Sequence, residues 1–225
     1  MAVIIGSASL GGLGAAEIER WRKIPVAVAI DAGRAAGQID PAIRPLMPAG
    51  KQPRLFGRAV TVQCEPPDFG SVLVAVDHIR AGDVLVIAAG GHAETAMIGE
   101  IVSGHLRRLG AVGLVCDGAI RDVGTLARWA DFPVFTRHVT PRGPSSAERG
   151  AVNIPVVVGG RVVAPGDVVI GDDDGLVALD AEAVRAFIDD AEAKLRKEAG
   201  WEASLASGQT MAKTFGLAKP VAIES

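Results

Sequence analysis

Apolar runs and helix-like segments alternate through the middle of the chain. Three runs rich in Val, Leu and Ala, at 58–65, 84–91 and 111–118, have the composition of strands, and FPVFTRHV at 132–139 is a fourth. Helical spacing falls between them, and one helix is expected to start directly after Gly90 and Gly91 and to end at Gly110. The order β-α-β-α predicts a parallel or mixed sheet covered by helices, and therefore an α/β fold.

The two ends of the chain have different patterns. A short helix is predicted at 15–23, stopped by Pro25, and a long final helix at 181–200 carries one apolar face. Between 153 and 179, short β runs are separated by Gly, Pro and Asp, which indicates antiparallel structure. We therefore expect an N-terminal extension at 1–24, one layered α/β domain at 25–200 and a C-terminal tail at 201–225.

Composition excludes several classes of protein. The 225 residues are 49% hydrophobic and 22% charged, which is typical of a folded globular domain. Lys and Arg number 23 against 26 Asp and Glu, with no basic run, so nucleic acid is not expected as a ligand. The apolar start lacks a basic leader and is too short to cross a bilayer, so we expect no membrane association and a cytoplasmic location.

The residues that several common kinds of catalysis require are absent or lie in unsuitable surroundings. Tyr is absent, and Cys64 and Cys116 lie in apolar runs that predict buried free thiols. The four His residues have no metal-site spacing, and the six Lys residues lie in polar surroundings that do not favour imine chemistry. The glycines near the N-terminus, among them Gly11, do not match a dinucleotide motif, and 172–174 (three Asp) is predicted to be a hairpin turn.

One constellation has the chemistry of a site. Arg121 and Asp122 follow the third apolar strand, at the strand end where open α/β sheets bind ligands. Arg121 offers a planar fork to a carboxylate or keto oxygen, and Asp122 offers hard oxygen to Mg²⁺ or Mn²⁺. Gly99 precedes a possible helix start, whose amides would be free to bind an anion. The alternative is an Arg-Asp pair that merely caps the next helix.

The ordered set GGHAETAMIGE, GAVGLVCDGAIRDV, FPVFTR and NIPVVVGGRVVAPGDVVIGDDDG, followed by a final helix, resembles the RraA-like family. This family includes the 4-hydroxy-4-methyl-2-oxoglutarate / 4-carboxy-4-hydroxy-2-oxoadipate aldolases, and the resemblance spans about residues 25–200. It implies a single α/β sandwich similar to a swivelling phosphohistidine domain, assembled as a homotrimer or hexamer with sites between subunits.

The resemblance also implies roles for the constellation. Asp122 would bind a divalent cation, Mg²⁺ or Mn²⁺, directly or through water, and Arg121 would grip the pyruvyl end of the substrate. The backbone amides of Gly99, Glu100, Ile101 and Val102 would hold the substrate carboxylate, and the Glu100 side chain would orient a water molecule.

A glutamate from the C-terminal helix of a neighbouring subunit would complete this site. Glu198 matches that position best, and Glu192 and Glu202 are the other candidates.

The expected activity is metal-dependent aldol cleavage of a 4-hydroxy-2-oxo acid through a pyruvate enolate, accompanied by oxaloacetate decarboxylation. Two alternatives stay open. One is a protein-binding regulator, since some members of the family bind and inhibit ribonuclease E. The other is a pyruvyl-acid lyase with a different physiological substrate.

Overall fold

Four parallel strands form the centre of the protein, as the alternating pattern predicts. The computed structural model describes residues 2–7, 12–219 and 221. Its strands are β1 (Ile4–Ile5), β2 (Arg44–Pro45), β3 (Leu55–Gln63), β4 (Asp83–Ile98), β5 (Gly113–Ile120), β6 (Val134–Val139), β7 (Ala151–Val152), β8 (Val156–Val158), β9 (Arg161–Val163), β10 (Val168–Asp172) and β11 (Gly175–Leu179). Its helices are α1 (Ala15–Trp21), α2 (Val26–Ala32), α3 (Gly70–Ala75), α4 (Glu100–Arg108), α5 (Val123–Leu126), α6 (Ala181–Ala206) and α7 (Met211–Phe215).

The sheet is mixed. Strands β3, β4, β5 and β6 lie side by side in parallel, and β7, β10 and β2 join them in antiparallel pairs. Strands β10 and β11 form an antiparallel hairpin, and β8 and β9 form a separate two-stranded ribbon. The predicted α/β class and the antiparallel part near 153–179 are therefore confirmed.

Helices cover the sheet in two groups, each packed on its own apolar cluster. Side chains from α3, α4 and α5 pack with the central strands, and those from α1, α2 and α6 pack over β10 and β11. Trp21 in α1 is fully buried, and its indole N–H donates to the carbonyl of Val184 at 3.0 Å. The predicted N-terminal helix is thereby fixed to the core.

The predicted start of a helix directly after Gly90 and Gly91 is wrong. Strand β4 continues through Gly90 and Gly91 to Ile98, and α4 begins only at Glu100. The glycines have φ of 59° and 76°, and the pairing of β4 with β5 shifts register after Ala88. Positive φ at these residues redirects the strand as a bulge and does not end it.

The other boundaries differ less. Helix α6 extends to Ala206, beyond the expected end at residue 200, and the triple-Asp segment forms the predicted turn between β10 and β11. Gly11 of the N-terminal glycine segment lies outside the described residues, as does the end of the expected tail at 222–225. Within the described ranges, no helix is both long enough and apolar enough to cross a bilayer.

Candidate functional site

Two neighbouring parallel strands bring the predicted site residues together. Ile98 at the end of β4 is the register partner of Ile120 at the end of β5, and the Arg121 amide donates to the Ile98 carbonyl at 3.1 Å. The residues that follow each strand therefore emerge at the same edge of the sheet. This arrangement places Gly99 and Glu100 against Arg121 and Asp122.

Asp122 faces the preceding helix in the chain and not the one that follows it. It occupies the N-cap position of α5 with φ of 60°, but its carboxylate makes no capping bond there. Its Oδ2 accepts from the Glu100 amide at 3.0 Å, at the positively polarised start of α4. The helix-cap alternative for Asp122 is therefore wrong for α5. In the described part of the chain, Oδ1 accepts no hydrogen bond.

The contact between Asp122 and Glu100 changes the expected anion site. One of the amides predicted to bind a substrate carboxylate, that of Glu100, already donates to a carboxylate of the protein. The amides of Ile101 and Val102 occupy the first turn of α4, where no earlier carbonyl of the helix can accept from them. Fewer backbone amides at the start of α4 are therefore available to an anion than the predicted set from Gly99 to Val102.

The Arg121 guanidinium lies beside this carboxylate and pairs with it through Nε only. Its Nε lies 3.6 Å from Oδ2 of Asp122, and each of the two side chains is 41% exposed. Among the described residues, no hydrogen bond engages its two terminal nitrogens. They are available to a planar anion such as a carboxylate.

Gly99 is required by the closeness of these side chains. A Cβ at Gly99 would lie 2.5 Å from Oδ2 of Asp122 and 2.8 Å from Cγ of Arg121. The backbone of Gly99 is extended, with φ of −151°, so the need for glycine comes from space and not from conformation.

The pocket beside Arg121 and Asp122 is small. Its volume is about 40 Å³, far below the roughly 300–1,000 Å³ of a typical ligand pocket. Phe69 and Pro144, which were not predicted as site residues, line it together with the predicted residues Gly99, Ile101, Val102, Arg121 and Asp122, whereas Glu100 does not line it. Ile101 at its mouth is 81% exposed. One chain therefore supplies the polar groups of a site but encloses little of a ligand.

The candidate glutamates of the C-terminal helix have other partners. Glu192 pairs with Arg20 at 2.8 Å, and Glu198 pairs with Lys194 at 3.2 Å. Glu202 is exposed. Within the described part of the chain, no hydrogen bond or ion pair joins any of the three to Arg121 or Asp122.

The donor set suits a hard cation that keeps much of its water. In residues 2–7, 12–219 and 221, no cluster of three or more His, Cys, Asp or Glu has the geometry of a metal site. Among the described residues, Oδ1 of Asp122 has no hydrogen bond, and Oδ2 accepts from the backbone amide of Glu100, whose side chain is exposed. Mg²⁺ is commonly bound through one or two carboxylates plus water and substrate oxygens, so these residues fit such an ion.

Both thiols are structural. Cys64 and Cys116 are free and buried, as predicted. Burial raises the pKa of Cys64 to about 12 and holds that of Cys116 well above its usual value. Both groups therefore stay protonated near neutral pH and are poor nucleophiles.

A larger cleft of about 540 Å³ lies at the opposite end of the strands, by the starts of β3 and β4. Its charged walls are partly neutralised internally, since Arg22 pairs with Glu19 at 2.8 Å and stacks over Phe56. Volume alone would favour this cleft, but the Arg121–Asp122 pair, whose outer atoms are open to a ligand, lies at the smaller pocket.

Known proteins and a family model are similar to this chain. The family model described as RraA-like, Aldolase/RraA, matches residues 26–178. A protein of Halalkalibacterium halodurans named "Putative 4-hydroxy-4-methyl-2-oxoglutarate aldolase" is 35% identical over 162 residues, which cover 72% of this chain and 75% of the relative.

Two solved structures share the fold. An uncharacterized protein from Pseudomonas syringae superposes with a TM-score of 0.79 at 24% identity, over 90% of this chain and 98% of that one. Streptomyces coelicolor RraAS2, described as an unusual member of the RNase ES inhibitor RraA protein family, gives a TM-score of 0.72 at 27% identity, over 82% and 96% of the two chains.

Proposed function

The chain belongs to the RraA-like family, and from this premise we propose that it is a divalent-metal-dependent aldolase of 4-hydroxy-2-oxo acids. The observation that carries the proposal is the Arg121–Asp122 pair at the edge of the sheet: among the described residues, the two terminal nitrogens of Arg121 and Oδ1 of Asp122 make no hydrogen bond. These are the groups needed to bind a 2-oxo carboxylate and to support negative charge on its keto oxygen.

The chemistry makes defined demands on these residues. Aldol cleavage breaks the C3–C4 bond, leaves its electron pair on the pyruvyl half as an enolate and releases the proton of the 4-hydroxyl group. Arg121 binds the pyruvyl end and stabilises the enolate charge. The amides of Ile101 and Val102 bind the substrate carboxylate, and the exposed carboxylate of Glu100 orients a water molecule that accepts the hydroxyl proton.

Asp122, with Glu100 beside it, would hold the cation. When bound, Mg²⁺ or Mn²⁺ supplies Lewis acidity toward the keto oxygen and the carboxylate of the substrate. The hydrogen bond from the Glu100 amide restrains the orientation of Asp122 before any ligand arrives and uses only its Oδ2. Loss of CO₂ from oxaloacetate leaves the same enolate, so we include oxaloacetate decarboxylation in the proposal.

A second subunit completes this site in our proposal. The pocket of about 40 Å³ is too small to enclose a substrate of five or more carbons, and the apolar Ile101 at its mouth is exposed. A homotrimer or hexamer would cover this surface and would bring Glu198 from the C-terminal helix of a neighbouring subunit. Sedimentation at the mass of a single chain would contradict this part of the proposal.

The test is pyruvate release from 4-hydroxy-4-methyl-2-oxoglutarate and from oxaloacetate, coupled to lactate dehydrogenase. We expect release with Mg²⁺ and its loss with excess EDTA. Arg121→Ala should lower kcat/KM by about 100-fold or more, because it removes a charged partner of the developing anion.

The matched control is Arg107→Ala. This variant removes an exposed guanidinium at the far end of α4, which pairs with Asp131 at 2.8 Å, and it should keep wild-type turnover. Equal rates for the two variants would refute the assignment of Arg121.

A second candidate is a protein-binding regulator of the ribonuclease E type, favoured by the structural similarity to Streptomyces coelicolor RraAS2. The two candidates separate experimentally. A regulator would release no pyruvate from either substrate and would bind the ribonuclease directly, whereas an aldolase would turn over at least one of the two acids.

A further inference from the structure

A buried carboxylate outside the Arg121–Asp122 pair joins two segments that form the pocket. Asp68 lies between β3 and α3 and is fully buried. Its oxygens accept hydrogen bonds from the Gly70 amide at 2.8 Å, the Glu148 amide at 2.9 Å and the Arg149 amide at 3.0 Å, and from the hydroxyl of Ser146. Four donors from two distant parts of the chain thus converge on one side chain.

Backbone hydrogen bonds join the same two segments beside the Asp68 carboxylate. The Phe69 amide donates to the Ser146 carbonyl at 3.1 Å, and the Ser145 amide donates to the Pro67 carbonyl at 3.2 Å. The loop from 140 to 149, which the sequence shows only as rich in Pro, Gly and Ser, is thereby attached to the start of α3. Removal of the carboxylate would leave the buried Gly70 amide and the partly buried donors of the loop without this acceptor.

The two attached segments carry the pocket walls that the sequence did not reveal. Phe69 directly follows Asp68, and Pro144 lies two residues before Ser146. Gly143 passes so close to the guanidinium that a Cβ there would lie 2.6 Å from Nη1 of Arg121. Displacement of this loop would therefore move one wall of the pocket and uncover Arg121.

We propose that Asp68 is a positioning residue of the site: it fastens the 140–149 loop to α3 and so keeps Phe69, Gly143 and Pro144 around Arg121. The consequence for turnover rests on the proposed function, whereas the consequence for Arg121 does not. Burial by itself would raise the pKa of Asp68, but the bonds from Ser146 and the three amides lower it well below its usual range. The carboxylate is therefore ionised at neutral pH.

Four variants distinguish a positioning role of Asp68 from a general contribution of its side chain to the stability of the fold. Asp68→Ala removes every acceptor. Asp68→Asn keeps Oδ1 for the amides of Gly70 and Arg149 and turns an NH₂ group toward the Ser146 hydroxyl, which is able to accept from it. The Glu148 amide keeps only its longer bond to Oδ1, at 3.1 Å. Ser146→Ala removes one donor only and serves if Asp68→Ala does not fold. The control is Asp167→Asn, a buried carboxylate that accepts from Ala164 at 2.9 Å near the opposite strand ends.

The first readout needs no substrate. The rate at which phenylglyoxal modifies Arg121, followed by peptide mass spectrometry, should rise about twofold in Asp68→Ala, because the side chain is 41% exposed and the opened loop exposes the remainder. Ser146→Ala should show a smaller rise, and both Asn variants should match the wild type. An unchanged rate in Asp68→Ala, or in Ser146→Ala if only that variant folds, would overturn the proposal.

The second readout is steady-state pyruvate release. In Asp68→Ala we expect KM to rise about tenfold with kcat within about threefold, because pocket walls bind the ground state and the transition state alike. Asp68→Asn should restore KM. A KM unchanged in Asp68→Ala, or raised equally in Asp167→Asn, would overturn the link to the site. If the wild type releases no pyruvate while Arg121 reactivity still responds to Asp68, the proposed function fails and the positioning role stands.

Discussion

Gly99→Ala tests whether close packing at the strand ends sets the geometry of the site. The added methyl group would lie 2.5 Å from Oδ2 of Asp122 and 2.8 Å from Cγ of Arg121. Ordinary carbon contacts are about 3.5 Å or longer, so each side chain must move by roughly 1 Å. Alanine adopts the extended backbone of this residue without strain, so these two side chains absorb the change.

A displacement of about 1 Å at reacting groups costs on the order of 100-fold in rate. We therefore expect kcat/KM for pyruvate release to fall about 100-fold in Gly99→Ala. Both displaced side chains are 41% exposed and free to yield, so the free energy of unfolding should fall by only about 1 kcal/mol. Pyruvate release coupled to lactate dehydrogenase measures kcat/KM, and urea unfolding measures the free energy of unfolding.

Gly104→Ala is the matched control, since it makes the same substitution one turn further along α4. Its Cβ would meet Trp129 at 3.4 Å, which is an ordinary contact, and alanine favours a helix interior over glycine. We expect wild-type kcat/KM and equal or higher stability. Wild-type turnover in Gly99→Ala, or an equal loss in Gly104→Ala, would refute the argument from close packing.

Three further outcomes follow from the structure. Asp122→Asn should abolish stimulation by Mg²⁺ while the fold is kept, and a Mg²⁺ titration that matched the wild type would contradict its role. Trp21→Ala should cost about 3–5 kcal/mol in urea unfolding, because the indole is fully buried, and a loss below about 1 kcal/mol would show that α1 is not part of the core. Since the folded-state pKa of Asp68 is lowered, its contribution to stability is complete above the unfolded value of about 4 and is lost as pH falls below it. Acid unfolding that was identical in Asp68→Asn would contradict this.

The position of Arg121 and Asp122 at the edge of the sheet could be predicted from sequence, because they follow the apolar strand at 111–118. The approach of Gly99 and Glu100 to them could not be predicted from the pattern, since the predicted strand ends at Gly91 whereas β4 continues to Ile98, and only the family resemblance groups the four residues. Phe69 and Pro144 could not be predicted in this way. They reach the pocket through hydrogen bonds to Asp68 from residues about 80 positions away, and local composition contains no trace of such contacts.

Helix α2 and the continuation of strand β4 also could not be predicted from the local sequence pattern. The segment VAVAIDA alternates like a strand but forms α2, whose first amide donates to Asp172, 146 positions further along the chain. Strand β4 passes through a glycine pair that normally ends a strand, because the neighbouring β5 continues to pair with it beyond the bulge. In both cases a distant partner, and not the local pattern, decides the structure.

The pocket is built partly from residues at the ends of sheet strands and partly from loop residues. This difference affects how its substrate specificity can change. Arg121 and Asp122 are anchored by the pairing of central strands, whereas Phe69 and Pro144 stand on loops whose backbone does not belong to the sheet. Mutation of the loop positions can therefore reshape what fits beside the guanidinium without disturbing the groups that handle charge. Laboratory evolution aimed at Phe69 and Pro144 should diversify the accepted acids while the bond that is broken stays the same.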